Sequence, residues 1–271
     1  MSPTCDGPGV SNTPPQADAD LLTYVLRQGD RSMVLAQRLL ENVTHAPELE
    51  EDVALSNIAL DLLGQARVLY TYAGEIEGPT GAGTLRGEDH YAYWRDHTEF
   101  LNPLLVEQPN GDFAHLIVRQ FLHDAFSSVL WDELRASSDG TLAALATKAV
   151  KETAYHLRHS RGWVVRLGDG TDESHARTQI AVDRLWRYTG ELGERDEVEQ
   201  RLIDAGVAPD TDRLGARWSS IVEQALVEAT LTHPIDLPMA SGGRMGIHTE
   251  ALSYLLGEMQ VLARAHPGAT W

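Results

Sequence analysis

Three groups of residues in this chain have the types and spacing to hold a metal ion or to move a proton. Asn57, Asp61 and Gln65 stand at i, i+4 and i+8, which puts them on one face of a helix. Lys148, Glu152, His156 and His159 stand at i, i+4, i+8 and i+11, with a carboxylate and an imidazole one turn apart. Asp124 follows His123 directly, and neighbours on a helix point about 100° apart, so only one of the two can be central. Carboxylates and imidazoles on facing helices could clamp a pair of irons. That arrangement takes one Glu from each of two helices and a Glu-x-x-His pair from each of two others, because residues three apart reach one ion from one helix face.

No Glu-x-x-His occurs in the sequence. On the helix of Asp61, positions three apart hold Leu62 with Gln65, or Asp61 with Gly64, and neither pair supplies a carboxylate and an imidazole. The stripe is therefore expected to be a hydrogen-bonded polar layer inside a bundle, setting helix register. Glu152 and His156 have no matching pair on an opposing helix. Lys148, one turn before Glu152, is expected to neutralise it, giving a Lys148–Glu152–His156 hydrogen-bond chain along the helix. On this reading the chain has no catalytic residues, no metal ligands and no cofactor of its own.

Weaker signals reduce to structure. Asp112/His115 and Asp172/His175 are Asp-x-x-His pairs after turns, where Asp is expected to cap a helix. Neither a Gly-x-Ser-x-Gly elbow nor a phosphate-cradling Gly-x-x-x-x-Gly-Lys loop is present. Gly242-Gly243-Arg244 is expected to be a flexible turn, and Arg158, Arg161 and Arg166 to favour a helix C-terminus.

The elements that would position these residues are helices. Apolar residues recur at three and four over about 18–43 and 47–74, the latter through Leu55, Ile58, Leu62, Ala66, Leu69 and Ala73. A third helix is expected from the Asp112 cap and a fourth from Thr141 to Leu167, closed by a left-handed stop at Gly168–Thr171. Shorter helices are expected at about 172–192, 196–205, 210–232 and 248–265. The fold class is all-α: a ferritin-like four-helix bundle with additional helices over residues 18–271. Residues 1–17, rich in Pro, Gly, Ser, Thr and Asp, are expected to be a disordered tail.

Composition narrows the partners. With 40 Asp and Glu against 22 Lys and Arg, the net charge of −18 argues against nucleic acid and anionic membranes. A lone cysteine, Cys5, excludes an internal disulfide and fits a cytoplasmic protein. No apolar run approaches the ~20 residues of a membrane span.

Several runs carry a family resemblance: Asn57–Arg67, Leu105–Ala114, Lys151–Arg158, Ser160–Trp163, Leu167–Asp172, Leu185–Arg187, Gly246–Glu250, Glu258–Gln260 and the final Trp271. Over about residues 20–271 the chain resembles the C subunits of multicomponent phenylacetyl-CoA ring epoxidases. The resemblance implies a ferritin-like fold and a structural role beside a homologous A subunit that carries the di-iron site. It further implies a B subunit and a reductase subunit with flavin and iron–sulfur groups. In this light Asp61, Leu62, Gln65, Asp124, Glu152 and His156 mark a relict, non-binding di-iron region, with Leu62 and Gln65 standing where Glu and His would be. Two other functions are open to test. One is an independent di-iron enzyme with the irregular ligand set Asp30, Asp61, Asp124, Glu152 and His156. The other is a helical acyl-CoA binder, which would need a basic pocket for the phosphates.

Overall fold

A computed structural model describes residues 16–234 and 238–269. Ten α-helices are present among these, and no strand. The four long ones are α1 (Gln16–Leu40), α2 (Leu49–Glu77), α5 (Phe113–Leu134) and α6 (Gly140–Gly168). α1 packs along α2 and α5 along α6, and α2 meets α6 across the bundle. Shorter helices wrap these four: α3 (Glu88–Tyr93), α4 (Leu104–Glu107), α7 (Asp172–Trp186), α8 (Glu197–Asp204), α9 (Thr211–Glu228) and α10 (Glu250–Ala265).

The wrapping explains a pattern that periodicity alone misses. Residues 27–36 of α1 and 116–127 of α5 are buried on every face, because α4, α8 and α10 close over α1 while α7 and α9 close over α5. Such helices are usually apolar all round. Here they carry Arg27, Gln28, Asp30, Arg31, Arg119, Gln120, His123 and Asp124, so the centre must satisfy many polar groups.

Helix starts follow the sequence closely. Asp112, Asp139, Thr171, Asp196 and Asp210 each accept a backbone N–H of the first turn. Thr171 rather than Asp172 caps α7, so Asp172 is simply the first residue of that helix. His175 is not incidental: its Nδ1 lies 2.7 Å from the Gly168 carbonyl at the end of α6. No left-handed residue closes α6. Asp169 has φ −92°, and its N–H bonds the Val165 carbonyl. Gly168 is instead needed for close approach, since a Cβ there would strike the backbone of Ala229.

At the N-terminus, Gln16 and Ala17 belong to α1, while residues 1–15 of the expected tail, including Cys5, lie outside the described residues, as does Trp271. The Gly242–Arg244 loop is clamped rather than flexible. The N–H groups of Gly242 and Arg244 donate to Glu191 Oε1 at 3.1 and 3.0 Å, and the N–H of Leu104 donates to Oε2 at 2.7 Å. No helix among the described residues is long and apolar enough to cross a membrane.

Candidate functional site

The polar residues singled out from the sequence fall into two layers of the bundle. The outer layer spans the α2–α6 seam. His156 Nε2 lies 3.0 Å from Asp61 Oδ2, and since a carboxylate only accepts, Nε2 carries the proton. One turn further, Gln65 Nε2 donates to Glu152 Oε2 at 3.1 Å, while Lys148 Nζ stands 3.4 Å from Glu152 Oε1. The pairing runs across the helices, so the expected chain along α6 is only half present: Lys148 pairs with Glu152, but His156 turns to Asp61. His156 is fully buried, whereas the Asp61 side chain is 39% exposed and reaches in from the rim. Asn57, the first residue of the stripe, is exposed and lies outside the layer. Past His156, Glu51 binds both His159 Nε2 and Trp163 Nε1 at 2.8 Å, a pair of contacts the sequence did not suggest.

The inner layer joins α5 to α6. Asp124 accepts from Gln120 Nε2 and from Ser160 Oγ, both at 2.7 Å. His123 Nδ1 is 3.4 Å from the same carboxylate, and His123 Nε2 faces Ser127 Oγ at 3.1 Å. Both His123 and Asp124 are therefore central, against the expectation that only one could be. Burial on all faces of α5 makes this possible. Burial also holds the His123 pKa below its ordinary value, against the pull of the Asp124 hydrogen bond. Ser160 Oγ reaches the His156 carbonyl at 3.0 Å as well, so one hydroxyl touches both the Asp124 carboxylate and the backbone of His156.

The donor set does not fit a pair of irons. Gln65 offers a neutral amide, not a carboxylate or an imidazole, and Leu62, 1% exposed, is part of the apolar core. Glu152 and Asp61 are each committed to partners of their own, and among the described residues no three His, Cys, Asp or Glu side chains are placed to hold one metal ion. Asp30, the fifth member of the irregular ligand set, is engaged elsewhere. It accepts from Tyr70 OH at 2.7 Å and Leu101 N–H at 2.8 Å, and it pairs with Arg95. The five residues Asp30, Asp61, Asp124, Glu152 and His156 are thus not brought to one place.

Because the inner layer is buried and Asp124 has few donors, Ser160→Ala should cost stability. Removing the hydroxyl strips one donor from a buried carboxylate, and the expected loss is about 1–3 kcal/mol in denaturant unfolding. A loss within ~0.3 kcal/mol would mean that Gln120 and His123 satisfy Asp124 without the Ser160 hydroxyl.

The chain matches the family described as phenylacetic acid catabolic protein over residues 8–271. It belongs to that family. It is also 49% identical over 251 residues to the C subunit of the 1,2-phenylacetyl-CoA epoxidase of Escherichia coli (strain K12), covering 93% of this chain and 99% of that one. The family expectation drawn from the matched runs, Asn57–Arg67 and Lys151–Arg158 among them, therefore holds. Those runs supply both sides of the outer layer.

Proposed function

We propose that this chain is the C subunit of a phenylacetyl-CoA epoxidase complex, and that its role there is structural rather than catalytic. The observation that carries this reading is the outer layer: Gln65–Glu152 and Asp61–His156 are bonded to one another across the seam where ligands would face a metal. The near-full-length similarity to a protein named as that subunit supports it. The chemistry of such a repair is simple. Unpaired buried carboxylates are costly, so positions freed from metal binding settle on neutral amides, apolar groups or paired charges.

The iron then resides in a homologous A subunit, with a B subunit and a flavin and iron–sulfur reductase completing a cytoplasmic assembly. A bundle of the same fold packs against its homologue along helix faces, and its rigid core holds the partner's ligand-bearing helices in place. The layered pairing described here keeps this chain's own helices in one register while it does so.

The test is elemental analysis of the chain expressed alone in iron-replete medium, together with turnover of the reconstituted complex. Iron well below one atom per chain is expected. Glu152→Gln and His156→Ala are expected to leave kcat of the assembled complex within about twofold. Iron near two per chain would overturn the reading, and so would a loss beyond about tenfold in an intact complex.

A further inference from the structure

Five arginines are buried among the described residues: Arg27, Arg31, Arg38, Arg95 and Arg119. Four of them have acceptors. Arg27 binds Glu199 and Asp196, Arg38 binds Glu41 and two carbonyls, Arg95 binds Asp30, and Arg119 binds the Gln108 carbonyl and Asn110. Arg31 has none: its Nε and Nη2 are enclosed and unpartnered. The Phe126 ring stands 5.4 Å from the guanidinium carbon, which accommodates one face of the cation but not its N–H groups. Burial brings the pKa of Arg31 down to about 10, with Arg244 adding to the fall and Tyr24 opposing it.

Arg31 lines a cavity outside the two polar layers, between α1, α5, α9 and the 191–199 segment. Three more unpartnered buried atoms belong to residues of this cavity, Tyr24 OH, Arg27 Nε and Gln28 Oε1. Leu101, Phe126, Leu130 and Leu214 give it an apolar wall. The carboxylates that also line it are committed. Glu191 holds three backbone N–H groups, Glu199 holds Arg27 and Arg244, and Glu194 accepts from Ser241. The space open to the centre of a water-sized atom is about 40 Å³, against ~10–15 Å³ for a single water. A group of a few heavy atoms fills it.

We infer that this cavity is a binding site for a short monocarboxylate of one to three carbons. A guanidinium is shaped to meet a carboxylate with two parallel hydrogen bonds, and a buried cation without a counter-charge is the situation such a ligand relieves. The Tyr24 hydroxyl is a further donor for the carboxylate, and the alkyl end of the ligand packs on Leu101, Leu130 and Leu214. Gln28 Oε1 only accepts, so a hydroxyl beside the carboxylate, as in glycolate, gains one more bond. This site is separate from the α2–α6 seam and does not depend on the structural role proposed for the chain.

The test is thermal unfolding of the full chain titrated with formate, acetate, glycolate or chloride, with ionic strength held constant by sulfate. A saturable rise on the order of a few degrees is expected with the carboxylates, largest for glycolate. The rise should vanish in Arg31→Met and in Ala208→Leu, which fills the cavity while leaving Arg31 in place. Line broadening of carbon-13-labelled acetate by the wild-type chain, lost in Ala208→Leu, reads the same binding if Arg31→Met does not fold. Three results would each overturn the site: no saturable shift, an equal shift with chloride, or carboxylate shifts that persist in Ala208→Leu.

Discussion

Arg95→Met is expected to destabilise the protein by about 3–5 kcal/mol, because it strands a buried carboxylate. Asp30 is wholly enclosed, and the Arg95 side chain is 7% exposed. Burial alone would lower the Arg95 pKa, but the facing Asp30 charge outweighs it and holds the guanidinium above its ordinary value. The Tyr70 hydroxyl and the Leu101 N–H remain as donors after the substitution, yet neither supplies a charge. Arg95 also ties the segment after α3 to its surroundings through the Tyr91 and Glu99 carbonyls, and its guanidinium lies 4.2 Å from the centre of the Phe100 ring. The effect thus includes lost packing. Guanidinium-induced unfolding is the measurement. Arg67→Ala serves as the control, since its pair with Glu88 is largely exposed, screened by solvent, and should contribute little to stability. The double variant Asp30→Leu/Arg95→Met should recover part of the loss, as an apolar pair needs no counter-charge. If Arg95→Met costs no more than Arg67→Ala, the pair does not anchor the fold.

That pair also shows where sequence reasoning stopped. The long helices were legible because their apolar residues repeat at three and four, as in Leu55, Ile58, Leu62 and Ala66 of α2. The start of α5 was legible through the Asp112 cap. The outer layer was legible as a set of candidates, since Asp61, Gln65, Glu152 and His156 share helix faces, but the crosswise pairing depends on how α2 and α6 are set against each other. Arg95 and Asp30 are 65 residues apart in the chain, and Arg27 and Glu199 are 172 apart. No local spacing encodes such partners. One signal was available: Arg27, Arg31 and Arg38 stand at i, i+4 and i+11 on α1, an apolar-type spacing occupied by cations. Read as a buried stripe, it would have pointed to the interior network and to Arg31. Asp30 is a candidate ligand by residue type alone, and its carboxylate is engaged by Arg95 and Tyr70.

The second large effect centres on Glu107, which holds the start of α10. Its Oε1 accepts from the Thr249 N–H at 2.7 Å and the Thr249 hydroxyl at 2.8 Å. Its Oε2 faces Asn102 Nδ2 at 3.0 Å and His248 Nδ1 at 2.7 Å. His248 Nε2 is 2.7 Å from the Phe100 carbonyl, so both ring nitrogens face pure acceptors, which is the environment of an imidazolium. Burial works against that charge, but the Glu107 carboxylate prevails and the His248 pKa is raised above 6.5. A raised folded-state pKa gives stability that is fully present below the unfolded value and is lost as pH rises through the folded one. The unfolding midpoint is therefore expected to fall as pH climbs from about 6.5, and to level off once His248 is neutral in both states. His90, His115 and His123 are shifted the other way, mainly by burial, so what they contribute is lost below their ordinary pKa and leaves the higher window to His248. Glu107→Gln should remove the slope above pH 6.5 and cost about 3–5 kcal/mol at pH 6, where it leaves an imidazolium without its carboxylate. His248→Gln should flatten the same window while costing less. Identical pH slopes in wild type and both variants would show that the anchoring of α10 does not depend on this proton.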